Sequence, residues 1–157
     1  MKRSIIIALI SFSLIGCSED KVTVEKDNYL VFKEELIEQK DFTDIEDVNF
    51  DIDISVDRVS EEEISYRAII DNPDENMYNV KAIVIHNHFT DEIFPSIGIF
   101  DEPIDLIIDN EEVKGINLVG YIKTTKDIDD LSLDVKLYIE YTNDSNELIK
   151  IYHKSTI

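Results

Sequence analysis

The chain has 157 residues, 35 of them acidic against 15 basic, for a formal charge of −20, yet 43% of its residues are hydrophobic. That apolar share is too high for a disordered chain, and the length suits one domain with a real core. A body this negative is repelled by phosphate backbones and by anionic lipid headgroups, which excludes nucleic acid and unaided adsorption to a membrane surface.

At the N-terminus, Lys2-Arg3 precede the apolar run Ile5-Ile6-Ile7-Ala8-Leu9-Ile10-Ser11-Phe12-Ser13-Leu14-Ile15, which ends at the small residue Gly16. A basic start, a short apolar stretch and a small residue form an export signal. As a helix, residues 5–15 would rise about 16 Å, against a hydrocarbon core of roughly 30 Å, so they are too short to span it. Leu14-Ile15-Gly16-Cys17 resembles the lipobox of bacterial lipoproteins. The resemblance implies that residues 1–16 are a signal peptide cut before Cys17, and that the Cys17 thiol carries a diacylglyceryl anchor on the extracytoplasmic face of the cell membrane. Loss of Lys2 and Arg3 takes the charge from −20 to −22. Each buried acyl methylene adds about 0.8 kcal/mol, so two chains hold even this acidic body to the membrane. Cys17 is the single cysteine. With it lipidated, the folded part has no disulfide, thiolate metal ligand or cysteine nucleophile, and its stability comes from packing.

Residues 17–46 read as the lipidated cysteine, a polar tether over Ser18–Lys26 and a short helix from Asn28, a residue suited to cap it. Phe32, Leu36 and Ile37 then share one helical side. After Phe42 the period changes to two. In Val48-Asn49-Phe50-Asp51-Ile52-Asp53-Ile54-Ser55-Val56-Asp57 every even position is apolar and every odd one polar, the pattern of a strand with one wet face. Similar runs at 63–71, 77–87, 104–109, 113–124, 131–142 and 147–154 bring the expected total to about seven strands. Turn chemistry separates them at Asp71-Asn72-Pro73-Asp74-Glu75-Asn76, at Thr125–Asp130 and at Asn143-Asp144-Ser145-Asn146, and consecutive strands joined this way are expected to pair antiparallel. Residues 47–157 are therefore expected to form an all-β, antiparallel two-sheet sandwich that resembles the immunoglobulin architecture, though without its cysteine pair and core tryptophan.

Residues 87–103 are expected to be a loop, broken by Pro95, Gly98 and Pro103 yet rich in apolar side chains. Phe89, Phe94, Ile97 and Phe100 are its candidate binding residues. They either plug an open end of the core or form an exposed patch for a partner or ligand. His86 and His88, two apart on a strand, share a face and could offer two imidazoles to zinc, but His86 also continues the inward row Val80, Ala82, Val84, and no metal is expected. Acidic turns at Glu61-Glu62-Glu63, at Asp127, Asp129 and Asp130, and at Asp71, Asp74 and Glu75 lack the spacing of a calcium loop. No glycine-rich phosphate loop, Gly-x-Ser-x-Gly elbow or His-Glu-x-x-His helix occurs in the sequence. The expectation is a non-enzymatic, cofactor-free lipoprotein that binds or assembles with another cell-envelope protein. Its alternative is an accessory lipoprotein that takes a small ligand or cation through the 87–103 loop or the acidic turns.

Overall fold

A computed structural model describes residues 19–87, 96–110 and 112–157. The signal segment, Cys17, His88, Phe89, Phe94 and Pro95 lie outside the described residues. Helix α1 (Glu19–Glu38) leads into seven strands: β1 (Asp51–Ser60), β2 (Glu63–Asp71), β3 (Met77–His86), β4 (Ser96–Leu106), β5 (Gly115–Lys123), β6 (Asp134–Thr142) and β7 (Leu148–Thr156). They form two antiparallel sheets, β1-β2-β5 and β4-β3-β6-β7. This is the all-β sandwich expected from the alternating runs. In constant-type immunoglobulin domains the fourth strand joins the sheet of the first two. Here β4 pairs with β3 instead, which widens the second sheet to four strands.

Even residues of β1 and β2 turn inward, so Ile52, Ile64, Tyr66, Ala68 and Ile70 meet Val80, Ala82, Val84, Leu137 and Ile139 of the facing sheet. Only some neighbours in sequence pair as hairpins. β1 and β2 turn at Glu61-Glu62, β6 and β7 at Asn143–Glu147, and β3 pairs with β4. The Asp71–Asn76 and Thr125–Asp130 turns, expected to join paired strands, carry the chain from one sheet to the other. The reason is amphipathic: β2 and β3 each have an apolar face, and both faces are buried when the strands oppose each other across the core. Asn72 takes φ 46° at the first crossing, and the Asp74 amide donates to the Asn49 carbonyl there.

Two boundaries depart from expectation. The chain is strand from Ser96, not from Ile104, so the second half of the expected loop pairs with β3; β4 is an edge strand, where Pro103 removes no ladder hydrogen bond that the sheet needs. And α1 begins at Glu19, which places Asn28 inside the helix rather than at its cap and makes the expected tether helical from its second residue. Val22, Thr23 and Val24 are β-branched and weak helix formers, so local composition argued against the helix there.

At Asn79, β3 bulges. Its φ of 53° breaks the register with both neighbouring strands, and its amide donates to Asp105 Oδ1 at 2.7 Å. The bulge resets which face the side chains take, so that Lys81, Ile83 and Ile85 point away from the sandwich core.

Candidate functional site

The outer face of the four-stranded sheet is assembled from three cross-strand ladders. Lys81, Glu140 and Lys150 lie in one row, Ile83, Tyr138 and Tyr152 in the next, and Ile85, Lys136 and Lys154 in the third. Such a row brings Cβ atoms within about 5 Å, close enough for opposite charges and aromatic rings to pair directly. Four of the 15 basic residues of an acidic chain thus surround one pair of tyrosines.

Helix α1 lies on this face. Tyr29, Phe32 and Leu36, spaced i, i+3 and i+7, form its inner stripe, and Leu36 is fully buried. Ile37, expected on the inner side, is exposed, because Tyr29 rather than Ile37 completes the stripe. Phe32 stacks on Phe100 with centroids 5.5 Å apart and leans on Tyr138 at 5.3 Å, while Tyr29 meets Phe100 edge-on at 5.9 Å. Tyr138 and Tyr152 are in ring contact at 5.1 Å.

Polar groups close the joint. Glu140 is only 8% exposed, yet its carboxylate is satisfied: Lys81 Nζ donates to Oε1 at 3.0 Å, Tyr138 Oη donates to Oε2 at 2.8 Å, and Lys150 Nζ stands 3.9 Å away. Burial pushes the Glu140 carboxyl up, but the Tyr138 hydroxyl and the two lysines outweigh it and hold the group below the usual carboxylate range. The tyrosine hydroxyls go the other way. Burial, then the bond to Glu140, raises Tyr138; burial, then the bond to Glu35, raises Tyr152. From the helix, Glu35 accepts hydrogen bonds from Tyr152 Oη and from Lys150 Nζ, the latter at 3.1 Å. α1 has no basic residue in its last turn. Lys136 supplies the missing charge from β6, donating to the carbonyls of Leu36 at 3.3 Å and Ile37 at 3.1 Å, where the helix dipole is negative.

Of the sequence candidates, Phe100 is brought into this site. It neither plugs an end of the core nor stands in water, but lies between sheet and helix, while its neighbour Ile99 turns to the core. Ile97 pairs with Val84 in the β3–β4 ladder. Phe100→Ala is expected to cost about 2 kcal/mol, since the ring is only partly buried, and to lower the melting temperature by roughly 8 °C. An unchanged melting curve would show that the ring does not hold the helix.

His86 ends β3 on the inner side, edge-on to Tyr66 at 5.1 Å. His153 lies two strands away, about 10 Å at ordinary strand spacing. Among the described residues no three His, Cys, Asp or Glu side chains come together as a metal site, and no helix is long and apolar enough to cross a membrane. Of the acidic-turn residues, Glu75 accepts from Tyr141 Oη at 3.0 Å; burial, then this bond, pushes that hydroxyl up to about 12. One open cleft, of about 590 Å³, mixes Glu62 and Glu63 with Lys123 and Lys126 and has no large apolar side chain in its lining. A smaller one, of about 200 Å³, is mostly apolar and lies by the end of the helix between Ile37, Ile85, His86 and Lys136.

The basic–aromatic face was missed in the sequence, although one signal announced it. Ala82-Ile83-Val84-Ile85 and Leu137-Tyr138-Ile139 are apolar at consecutive positions, as in a sheet covered on both sides. Comparison with protein-family models, with curated proteins and with solved structures returned no match.

Proposed function

We propose that the chain is a lipid-anchored, non-enzymatic binding or assembly module of the bacterial cell envelope, held on the extracytoplasmic face of the membrane through Cys17 and engaging another envelope protein. The observation that carries the address is Lys2-Arg3, the apolar run and Leu14-Ile15-Gly16-Cys17 in sequence order. The binding role is supported by the sandwich itself: the aromatic face of its four-stranded sheet takes up the stripe Tyr29, Phe32 and Leu36 of a helix, which is the kind of packing by which a sheet receives a protein segment. With α1 starting at Glu19, two residues beyond Cys17, the anchor would connect to the sandwich through a helix and not through a slack tether.

Cell fractionation tests this reading. The native chain is expected in the membrane fraction, extractable by detergent but not by high salt, because the attachment is apolar. Cys17→Ser is expected to abolish lipid transfer and leave the exported chain soluble or unprocessed. A Cys17→Ser chain that is processed and still fully membrane-bound would sink the proposal.

A further inference from the structure

We infer that the outer face of the three-stranded sheet, β1-β2-β5, is the surface on which this module receives its partner, and that the partner presents a basic amphipathic helix. The inference rests on the binding-module reading above and names the surface and the chemistry of what it takes.

The two sheets differ in what lies on their outer faces. The four-stranded sheet is covered by α1, whereas among the described residues no helix packs on the outside of β1-β2-β5. Register sets the side chains of that free face in three rows: Asp53, Ile69 and Asn117; Ser55, Arg67 and Val119; Asp57, Ser65 and Tyr121. A sheet face that meets only water is expected to be polar throughout. Here the half-buried Ile69 and Val119 adjoin Tyr121, which is 48% exposed. Charge lies to one side of them, because β1 contributes Asp53 and Asp57, both exposed. Arg67 faces Ser55 between the two, yet it makes no ion pair or hydrogen bond with either among the described residues, so both carboxylates are left for an incoming cation.

The covered face shows how this sandwich holds a helix. There the apolar stripe Tyr29, Phe32 and Leu36 settles on the sheet, and the charge beside the stripe is opposite to that of the strands, Glu35 meeting Lys150 at 3.1 Å. The free face has the same two parts with the sign reversed. An apolar stripe would cover Ile69, Val119 and Tyr121, and lysines or arginines along its border would meet Asp53 and Asp57. A second copy of this chain fits poorly, since its formal charge is −20 and its own helix is acidic, and an anionic lipid surface is repelled for the same reason. Charge therefore selects a basic protein segment.

A crosslink without a spacer reads the contact by position. Full-length chain in detergent is mixed with a synthetic helix of leucine and lysine, its leucines on one face, and treated with a water-soluble carbodiimide, which joins a carboxylate to a neighbouring amine as an amide. Digestion and mass spectrometry then locate the amides. Asp53 and Asp57 are expected to carry about fivefold the yield of other exposed acids such as Asp129 and Asp130. Tyr121→Ser, which removes the exposed ring, is expected to reduce that preference to about twofold or less. A scrambled peptide of the same composition should show no preference. Amides spread evenly over the exposed acids, or a preference that survives the scrambled peptide or Tyr121→Ser, would overturn the inference, because charge alone would then account for binding. An even spread on a chain that Cys17→Ser releases from the membrane would retire this face and leave the anchored module standing. A preference for Asp53 and Asp57 on a chain that Cys17→Ser leaves membrane-bound would keep the face and retire the anchor.

Discussion

Gly120→Ala is expected to destabilise the sandwich by about 3 kcal/mol, more than most single added methyl groups, because no space exists for the new atom. Gly120 sits opposite Tyr66 in the β2–β5 ladder, and the tyrosine ring lies flat across it. A Cβ at residue 120 would stand 2.5 Å from Tyr66 Cε1 and closer still to Cζ and Oη. Tyr66 is 1% exposed and packed against Ile64, Ala68 and His86, so the ring cannot swing aside without displacing the core. Overpacking of this kind typically costs 1–3 kcal/mol. The backbone at Gly120 needs no positive φ, so the cost is steric and belongs to the pair. A double-mutant cycle in urea reads it: Tyr66→Leu destabilises by itself, but on that background Gly120→Ala should cost about 1 kcal/mol or less. Equal costs on both backgrounds would mean that the glycine matters for another reason.

Glu140→Ala is expected to lose about 2–4 kcal/mol. Breaking a buried ion pair by removing one partner costs roughly 3–5 kcal/mol, but Lys81 and Lys150 keep about a third of their side chains in water and can rehydrate, which lowers the figure. Against that, Tyr138 Oη, on a residue 1% exposed, loses its acceptor, a further penalty of about 1–3 kcal/mol. Glu140→Gln keeps an acceptor for Tyr138 and should cost less. The pH dependence follows from the carboxyl group's lowered pKa. A carboxylate that ionises more readily in the folded state contributes its stability above the unfolded value of about 4.3 and loses it as pH falls through the lower folded value. The gap in urea midpoint between native chain and Glu140→Gln should therefore stay constant from pH 7 to about pH 5 and narrow below. A gap that instead widens on acidification would show that the ion network opposes folding.

Glu35 ties α1 to the same sheet, accepting hydrogen bonds from Tyr152 and Lys150. Two glutamates reach Lys150, Glu35 from the helix at 3.1 Å and Glu140 from β6 at 3.9 Å, so this one ammonium links the sheet to α1. Its loss as Lys150→Met should weaken the docking of α1 while leaving the sandwich folded, because the cross-strand row retains Lys81 and Glu140.

The alternation Phe50, Ile52, Ile54, Val56 was sufficient to place β1 and its wet face, and apolar runs located five more strands to within a few residues, but not β4. Two-residue periodicity is a local property, imposed by the pleat on any strand with one face in water, and it survives whatever the strand packs against. Fold class and the inward rows were legible for that reason. Pairing was not: the Asp71–Asn76 turn has the residues of a hairpin and makes a crossing, because whether two amphipathic strands lie side by side or face to face depends on where their apolar surfaces are needed. β4 was hidden by Pro103 and Gly98, which argue against a strand inside a sheet but are tolerated at its edge. The site was hidden by distance. Lys81, Lys136, Lys150 and Lys154 are scattered over 74 positions and read singly as solvated charges; ladder register alone gathers them on one face. Residue order carried what depends on neighbours: the Leu14-Ile15-Gly16-Cys17 pattern on which the proposed anchor rests, the strand period and the excess of acid. Tertiary packing decided what depends on approach between distant segments, namely that α1 covers the four-stranded sheet, that Phe100 lies beneath it, and that Glu140 is buried with its charge satisfied.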